Sequence, residues 1–238
     1  MKTIFRLIFA TGFLLLNACA TIGNIPQEKK EYLKFVSRKN YPQTYSTYVD
    51  TKLLTRKKKN MVRAKVDLDR QRIRLVIDGQ TALDSPATTG KQDYETPTGI
   101  FPILEKKENK ESNLYGRFYK DGKLVYTGSE KEYKEENAGE ELEYDEYKGT
   151  SLASWMRLTR DGVGIHQSQG IFRRPASHGC IRIPAKTSKI LYSRLKVGSL
   201  VTVIKSDSLP PGKDVKVRSL SIKERLQLLR KLKKNKNS

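Results

Sequence analysis

Cysteine and histidine are scarce in this sequence. The 238 residues contain only two Cys and two His. Two cysteines cannot support a disulfide-rich scaffold, and they cannot supply a four-cysteine zinc site. The N-terminal apolar run, Ile4–Leu16, is too short for a comfortable membrane span of about 20 residues. The sequence therefore excludes a disulfide-stapled domain.

Acidic residues are also few relative to basic ones. The chain has 26 Asp plus Glu against 47 Lys plus Arg, a formal net charge of +21. Such a charge indicates an anionic environment, which could be nucleic acid, a membrane surface or a wall polymer. The length allows one domain with extensions. Patterned runs of apolar residues make the chain charged but not disordered.

The N-terminus has the features of an export signal. Lys2 and Arg6 form a positive segment before the apolar run, which ends close to Cys19. The sequence Leu-Asn-Ala-Cys at positions 16–19 resembles the lipobox of bacterial lipoproteins, which implies that Cys19 is lipidated. A plain signal peptide and an uncleaved anchor are the alternatives. Export argues against nucleic acid as the partner. We expect the protein to be lipid-anchored to the cell envelope, facing the periplasm or wall.

The chain divides into four segments by composition. We predict a signal peptide over 1–18, a basic N-terminal tether with a helical segment over 19–61, a catalytic domain over 62–206, and a basic C-terminal tail or helix over 207–238. The tether is expected to lie outside the core.

The segment from Val62 onward has the pattern of a β-rich domain. Apolar residues alternate with charged ones, which is typical of half-buried strands. Asp-Gly turns at 78–79 and 121–122 predict two hairpins. Further strands are expected at 155–159, 162–167 and 199–205, and one helix near 184–196. The fold class is therefore predicted as mainly β, a mixed sandwich or barrel-like domain with few helices.

The residues capable of chemistry lie close together in the sequence. Both histidines, His166 and His178, lie within 14 residues of Cys180. A thiol is mostly protonated near pH 7, and a nearby imidazole can accept its proton or stabilise the thiolate nucleophile. Gly179 permits an unusual backbone angle that could direct a main-chain N–H at an oxyanion. Buried structural histidines or a zinc site are the alternatives, although no fourth zinc ligand is evident.

Several motifs carry a resemblance to a known family. They are Ala-Thr-Thr-Gly at 87–90, Thr-Pro-Thr-Gly at 96–99, Trp-Met-Arg-Leu-Thr at 155–159, Gly-Ile-His at 164–166 and Ser-His-Gly-Cys-Ile-Arg at 177–182. Together they resemble the L,D-transpeptidase catalytic domain, also called the YkuD-type domain, over about Val62–Lys205. A papain-like protease matches poorly, because in that family the nucleophile precedes its histidine.

The resemblance implies roles for individual residues. Cys180 matches the nucleophile, His166 the general acid and base, and His178 an assisting residue. The base is expected to be oriented by a backbone carbonyl. Ser177 and Arg182 are expected either to hold the motif or to contact substrate, with Gly179 between them. The resemblance implies neither a metal nor any other cofactor.

The resemblance also implies a two-step reaction on peptidoglycan stem peptides. The thiolate attacks the third residue of a stem tetrapeptide, releases D-alanine and leaves a thioester, and a carbapenem is expected to acylate the same thiol. A stem-peptide amine then gives a 3-3 crosslink, a protein lysine gives wall attachment, and water gives carboxypeptidase activity. A hydrolytic relative and a non-enzymatic lipoprotein that tethers the envelope are the competing hypotheses.

Two further segments each allow two interpretations. Residues 114–148 combine a hairpin, six tyrosines and an acidic stretch with nine carboxylates over 130–146. This acidic stretch is expected to be either a solvated loop or a mobile lid that attracts an amine acceptor. The basic tail is expected either to pack on the domain as a helix or to bind anionic lipid or wall polymer.

Overall fold

The computed structural model describes residues 29–56 and 61–206. The predicted signal peptide, Cys19 and the C-terminal helix lie outside the described residues. Among the helices that are described, none is both long and apolar enough to cross a membrane.

The described residues form a mainly β fold, as predicted. The described ranges contain four helices: α1 (Lys30–Val36), α2 (Thr51–Leu54), α3 (Glu130–Glu136) and α4 (Ala185–Arg194). The strands are β1 (Tyr48–Val49), β2 (Val62–Asp67), β3 (Arg72–Ile77), β4 (Gln80–Pro86), β5 (Gly99–Pro102), β6 (Glu105–Lys107), β7 (Glu111–Lys120), β8 (Lys123–Gly128), β9 (Glu146–Ser151), β10 (Trp155–Arg157), β11 (Gly164–Gln167), β12 (Ile181–Ile183) and β13 (Leu200–Ile204).

These strands build three sheets. The largest has the order β1-β4-β3-β2-β13-β5, the second β12-β11-β10-β6 and the third β8-β7-β9. The first two share one apolar core, in which Leu75 of β3, Ile165 of β11 and Leu191 of α4 are fully buried. The second sheet carries the sequence-predicted catalytic motifs. Packing in this shared core therefore fixes the position of the second sheet and of the motifs on it.

Both predicted hairpins are present. Ile77 pairs with Gln80 across the first turn, and Lys120 pairs with Lys123 across the second. The central residues of both turns have positive φ, 51° and 82° at 78–79 and 50° and 71° at 121–122. This is the backbone geometry that a two-residue Asp-Gly turn favours.

The N-terminal segment differs from the expected tether. Tyr32 and Phe35 of α1 are buried, and the Tyr32 hydroxyl donates a 2.9 Å hydrogen bond to Asp84 of β4. Asp84 also accepts from Arg72 at 2.7 Å, and both side chains are almost fully buried. The strands predicted to be half-buried are therefore covered on their charged face too, because residues 32–46 pack over it. Sequence reasoning missed this because the covering segment is polar and basic on average.

The acidic stretch also differs from expectation, because it begins with a helix. Ser129 and Glu132 form a capping box at the start of α3. This helix lies between β8 and β9 of the third sheet, and we call residues 111–151 the insert. The hydrophobic centre of the insert is Phe118, which contacts three tyrosine rings at 4.8 to 6.2 Å: Tyr126, Tyr144 and Tyr147. Three of the six tyrosines thus pack around Phe118 within the insert.

Candidate active site

The loop that carries the proposed nucleophile is held by hydrogen bonds to the main sheet. Ser177 is fully buried, and its hydroxyl donates a 2.6 Å hydrogen bond to the carbonyl of Cys180. The backbone of Ser177 pairs with the segment after β4, donating to Thr89 and accepting from Lys91. A second bridge joins Thr88 to Arg182. These contacts tie both ends of the loop to the segment that follows β4.

A left-handed backbone at Gly179 shapes the turn before the nucleophile. Its φ is +99°, a region that non-glycine residues rarely adopt. The Gly179 carbonyl accepts a 2.7 Å hydrogen bond from Thr96. Thr96 also accepts from the Gly90 N–H at 2.9 Å. The Thr-Pro-Thr-Gly turn at 96–99 is thus hydrogen-bonded both to the nucleophile loop and to the segment after β4.

Strand pairing brings the two histidines and the thiol to the same region. β11 and β12 are parallel, with His166 opposite Arg182. Cys180 lies immediately before β12. Every site residue expected from the sequence, apart from the lipidation site, lines one cleft of about 1330 Å³: His166, Ser177, His178, Gly179, Cys180 and Arg182.

His166 is held in one orientation and one tautomer. Its Nδ1 lies 2.8 Å from the carbonyl oxygen of Gln167. A carbonyl can only accept a hydrogen bond, so Nδ1 carries the proton and Nε2 is left as a basic nitrogen. Burial, together with a smaller effect of nearby Arg182, lowers the pKa of His166 to about 4, against the opposing effect of the Gln167 carbonyl. The imidazole is therefore neutral at pH 7.

Cys180 is a partly exposed residue whose sulfur is largely enclosed. Its Sγ lies 3.7 Å from the carbonyl oxygen of Gly162. Burial raises the pKa of the thiol, while a backbone hydrogen bond from Gly164 and the charge of Arg182 act in the opposite direction. The resting state is thus a neutral thiol, with a backbone donor and a guanidinium nearby that favour the thiolate.

Basic side chains dominate the charged groups of the cleft. Six are basic and two acidic: Lys110, Arg117, Lys148, Arg157, Arg160 and Arg182 against Glu95 and Asp161. Arg182 is half-buried, and this burial lowers its pKa. The cleft therefore favours an anionic ligand.

Three residues near His178 were missed from the sequence. The ring of Tyr115 stacks on His178 with centroids 4.4 Å apart, and Tyr94 meets it edge-on at 4.7 Å. Glu132 of α3 lies 2.7 Å from Nε2 of His178. The only advance signal was the Ser-x-x-Glu capping pattern at 129–132, which predicts a helix start but not a contact with His178.

Metal ligands are not grouped in the part of the chain that the structure describes. Residues 29–56 and 61–206 contain no set of three His, Cys, Asp or Glu side chains that could hold a metal ion.

Comparison with known proteins assigns the family. The sequence matches the YkuD family, the L,D-transpeptidase catalytic domain, over residues 62–203, which is more than half of the chain. The protein therefore belongs to the L,D-transpeptidase catalytic domain family. A search of curated protein sequences found no match.

Solved structures of L,D-transpeptidases match part of the chain. One from Mycobacterium smegmatis is 21% identical, with 61% of this chain and 59% of that chain covered and a TM-score of 0.45. One from Stackebrandtia nassauensis is 23% identical, with 66% and 60% covered and a TM-score of 0.44. The chain thus spans about three fifths of the length of these structures.

Proposed function

We propose that the protein is a peptidoglycan L,D-transpeptidase that acts through a thioester on Cys180. The observation that carries this proposal is the convergence of Cys180, His166 and His178 in one cleft. Family membership supports the reaction class, and the geometry around the thiol supports the cysteine mechanism.

Acylation begins with transfer of the thiol proton. The tautomer of His166 leaves Nε2 free to accept it, and its low pKa keeps the ring available as a base at neutral pH. The sulfur of Cys180 then forms a bond to the carbonyl carbon of the third stem residue. Backbone N–H groups around Gly179 are the proposed donors to the oxyanion. As the intermediate collapses, the C–N bond breaks and His166 returns the proton to the leaving D-alanine amine.

The thioester is then resolved by an acceptor. A stem-peptide amine gives a 3-3 crosslink, a protein lysine gives attachment of that protein to the wall, and water gives L,D-carboxypeptidase activity. All three use the same acyl-enzyme. Membership of a transpeptidase family supports an amine acceptor. We therefore propose an amine acceptor, with hydrolysis as the alternative outcome.

The basic cleft supports a carboxylate-bearing donor. A stem tetrapeptide ends in the α-carboxylate of D-alanine, and Arg182 lies beside the nucleophile loop in β12. Its planar guanidinium can bind a carboxylate through two parallel hydrogen bonds. We propose this contact as the anchor for the donor terminus.

We also propose an envelope location. The N-terminal sequence supports export and a lipid anchor on Cys19, and the charge of +21 supports contact with anionic lipid or wall polymer. In this location the substrate is a wall polymer and not a nucleic acid.

Product analysis tests the proposed function. Full-length protein incubated with purified tetrapeptide muropeptides should give crosslinked dimers and free D-alanine by mass spectrometry. Cys180→Ala, with the fold retained by circular dichroism, is the matched control and should leave the substrate unchanged. If the wild type gives only shortened monomers, the protein is a carboxypeptidase and not a transpeptidase. If the wild type leaves the muropeptides unchanged, both assignments are refuted.

A further inference from the structure

The insert reaches the active site through one carboxylate. Glu132 Oε1 lies 2.7 Å from Nε2 of His178, and the two side chains are only 19% and 22% exposed. Among the described residues Nε2 of His178 makes no aligned hydrogen bond, so the Glu132 oxygen lies off the direction of the ring N–H. The contact is therefore mainly ionic, and it favours the imidazolium form.

The two carboxylate oxygens of Glu132 contact different residues. Oε2 accepts 3.1 Å hydrogen bonds from the backbone N–H and the hydroxyl of Ser129, which completes the capping box of α3. Oε1 faces His178. A helix cap needs only one side-chain oxygen at this position, and Gln can supply it as well as Glu. The negative charge is thus available for His178.

The charges around His178 otherwise disfavour its protonation. Burial lowers the pKa of His178 most, Lys91 and Arg182 also lower it, and Glu132 raises it. The groups that face the ring come from four parts of the fold: Lys91 and Tyr94 after β4, Tyr115 in β7, Glu132 in α3 and Arg182 in β12. Glu132 is the one group of these whose charge raises the pKa of His178.

We propose that Glu132 is a positioning residue that orients the His178 ring in the nucleophile loop through its charge, so that the insert supplies part of the active site. This inference rests on the proposed thioester mechanism and deepens it. His178 and Cys180 are two residues apart and line the same cleft, where an imidazolium can stabilise the thiolate, which is the attacking species. Tyr115 stacks on the same ring and limits its rotation.

Three variants separate the charge of Glu132 from its role in capping. Glu132→Gln keeps the side-chain oxygen for the cap and removes the charge, whereas Glu132→Ala removes both. Glu135→Gln removes a carboxylate from an exposed position on the same helix, where it pairs with Lys131, and is the matched control.

The first measurement is the titration of His178 by NMR. With only two histidines in the chain, two imidazole resonances are expected. Glu132→Gln should lower the midpoint of His178 by about one pH unit, the lower end of the effect of an adjacent opposite charge. Glu135→Gln should leave both midpoints unchanged. An unchanged His178 midpoint in Glu132→Gln would overturn the proposal.

The second measurement is the rate of acylation by a carbapenem as a function of pH. Glu132→Gln should acylate up to about tenfold more slowly near pH 7, above both His178 midpoints, because there a midpoint one unit lower reduces the imidazolium population about tenfold. The loss should shrink at lower pH, where the imidazolium is populated in both proteins. A Glu132→Gln profile that overlays the wild type, with a loss only in Glu132→Ala, would assign Glu132 to capping alone and overturn the proposal. A wild type that is never acylated would refute the thioester mechanism, while the NMR titration would still test the contact.

Discussion

The buried, neutral imidazole of His166 makes the stability of the fold depend on pH in a specific way. Burial lowers the pKa of His166 to about 4, whereas an unfolded histidine titrates near 6.5. Between these values the unfolded chain binds more protons than the folded one. The contribution of the neutral His166 imidazole to the free energy of unfolding is thus complete above pH 6.5, and it is lost as the pH falls toward 4.

The size of the effect follows from the two pKa values. The difference between 6.5 and about 4 corresponds to about 3 kcal/mol in the free energy of unfolding. About 2 kcal/mol of this is lost between pH 7 and pH 4.5. Carboxylates titrate in the same pH range. The contribution of His166 is therefore isolated only by comparing the wild type with a variant that lacks this imidazole.

Urea denaturation at pH 7 and pH 4.5 measures this difference. His166→Gln cannot take up the proton, so the stability of wild type relative to the variant should fall by about 2 kcal/mol between the two pH values. His178→Gln is the control, and its change should be smaller because that ring is more exposed. Parallel losses in wild type and His166→Gln would refute the assignment of a buried neutral base.

Three further predictions concern the nucleophile loop and the buried ion pair. Ser177→Ala removes the 2.6 Å hydrogen bond to the Cys180 carbonyl, so it should lower the free energy of unfolding by about 1 kcal/mol in urea denaturation and slow acylation. Acylation at the full wild-type rate would show that this hydrogen bond does not contribute to the reaction. The rate of carbapenem acylation of the wild type should rise from pH 6 to 9, since burial raises the pKa of Cys180, and a flat profile would contradict a neutral resting thiol. Asp84→Asn should destabilise the fold by about 3 to 5 kcal/mol, because it leaves Arg72 as a buried charge without its carboxylate; a loss below 1 kcal/mol would show that the N-terminal segment does not seal this pair.

Local sequence signals predicted the parts of the fold that depend on neighbouring residues. The Asp-Gly turns fixed both hairpins, and the expected strands at 155–159, 162–167 and 199–205 contain β10, β11 and β13. The predicted helix near 184–196 contains α4. The family motifs brought the expected site residues into one cleft because β11 and β12 are adjacent.

Long-range packing could not be predicted from the sequence. The contact of Tyr32 with Asp84 joins residues 52 positions apart, and the contact of Glu132 with His178 joins the insert to a loop 46 positions later. Both use polar atoms in segments that are hydrophilic on average. Hydropathy therefore indicated an exposed tether and a solvated acidic stretch, whereas the structure uses the same polar atoms for specific contacts.

The central claim is that Cys180 forms the acyl-enzyme. Full-length protein, Cys180→Ala and His166→Gln can be incubated with a carbapenem and analysed by intact mass and peptide mapping. The wild type should gain the mass of one carbapenem on the peptide that contains Cys180, His166→Gln should react about 10² to 10⁴ times more slowly, and Cys180→Ala should gain none. An adduct on Cys180→Ala, or one mapped to another residue of the wild type, would contradict the mechanism.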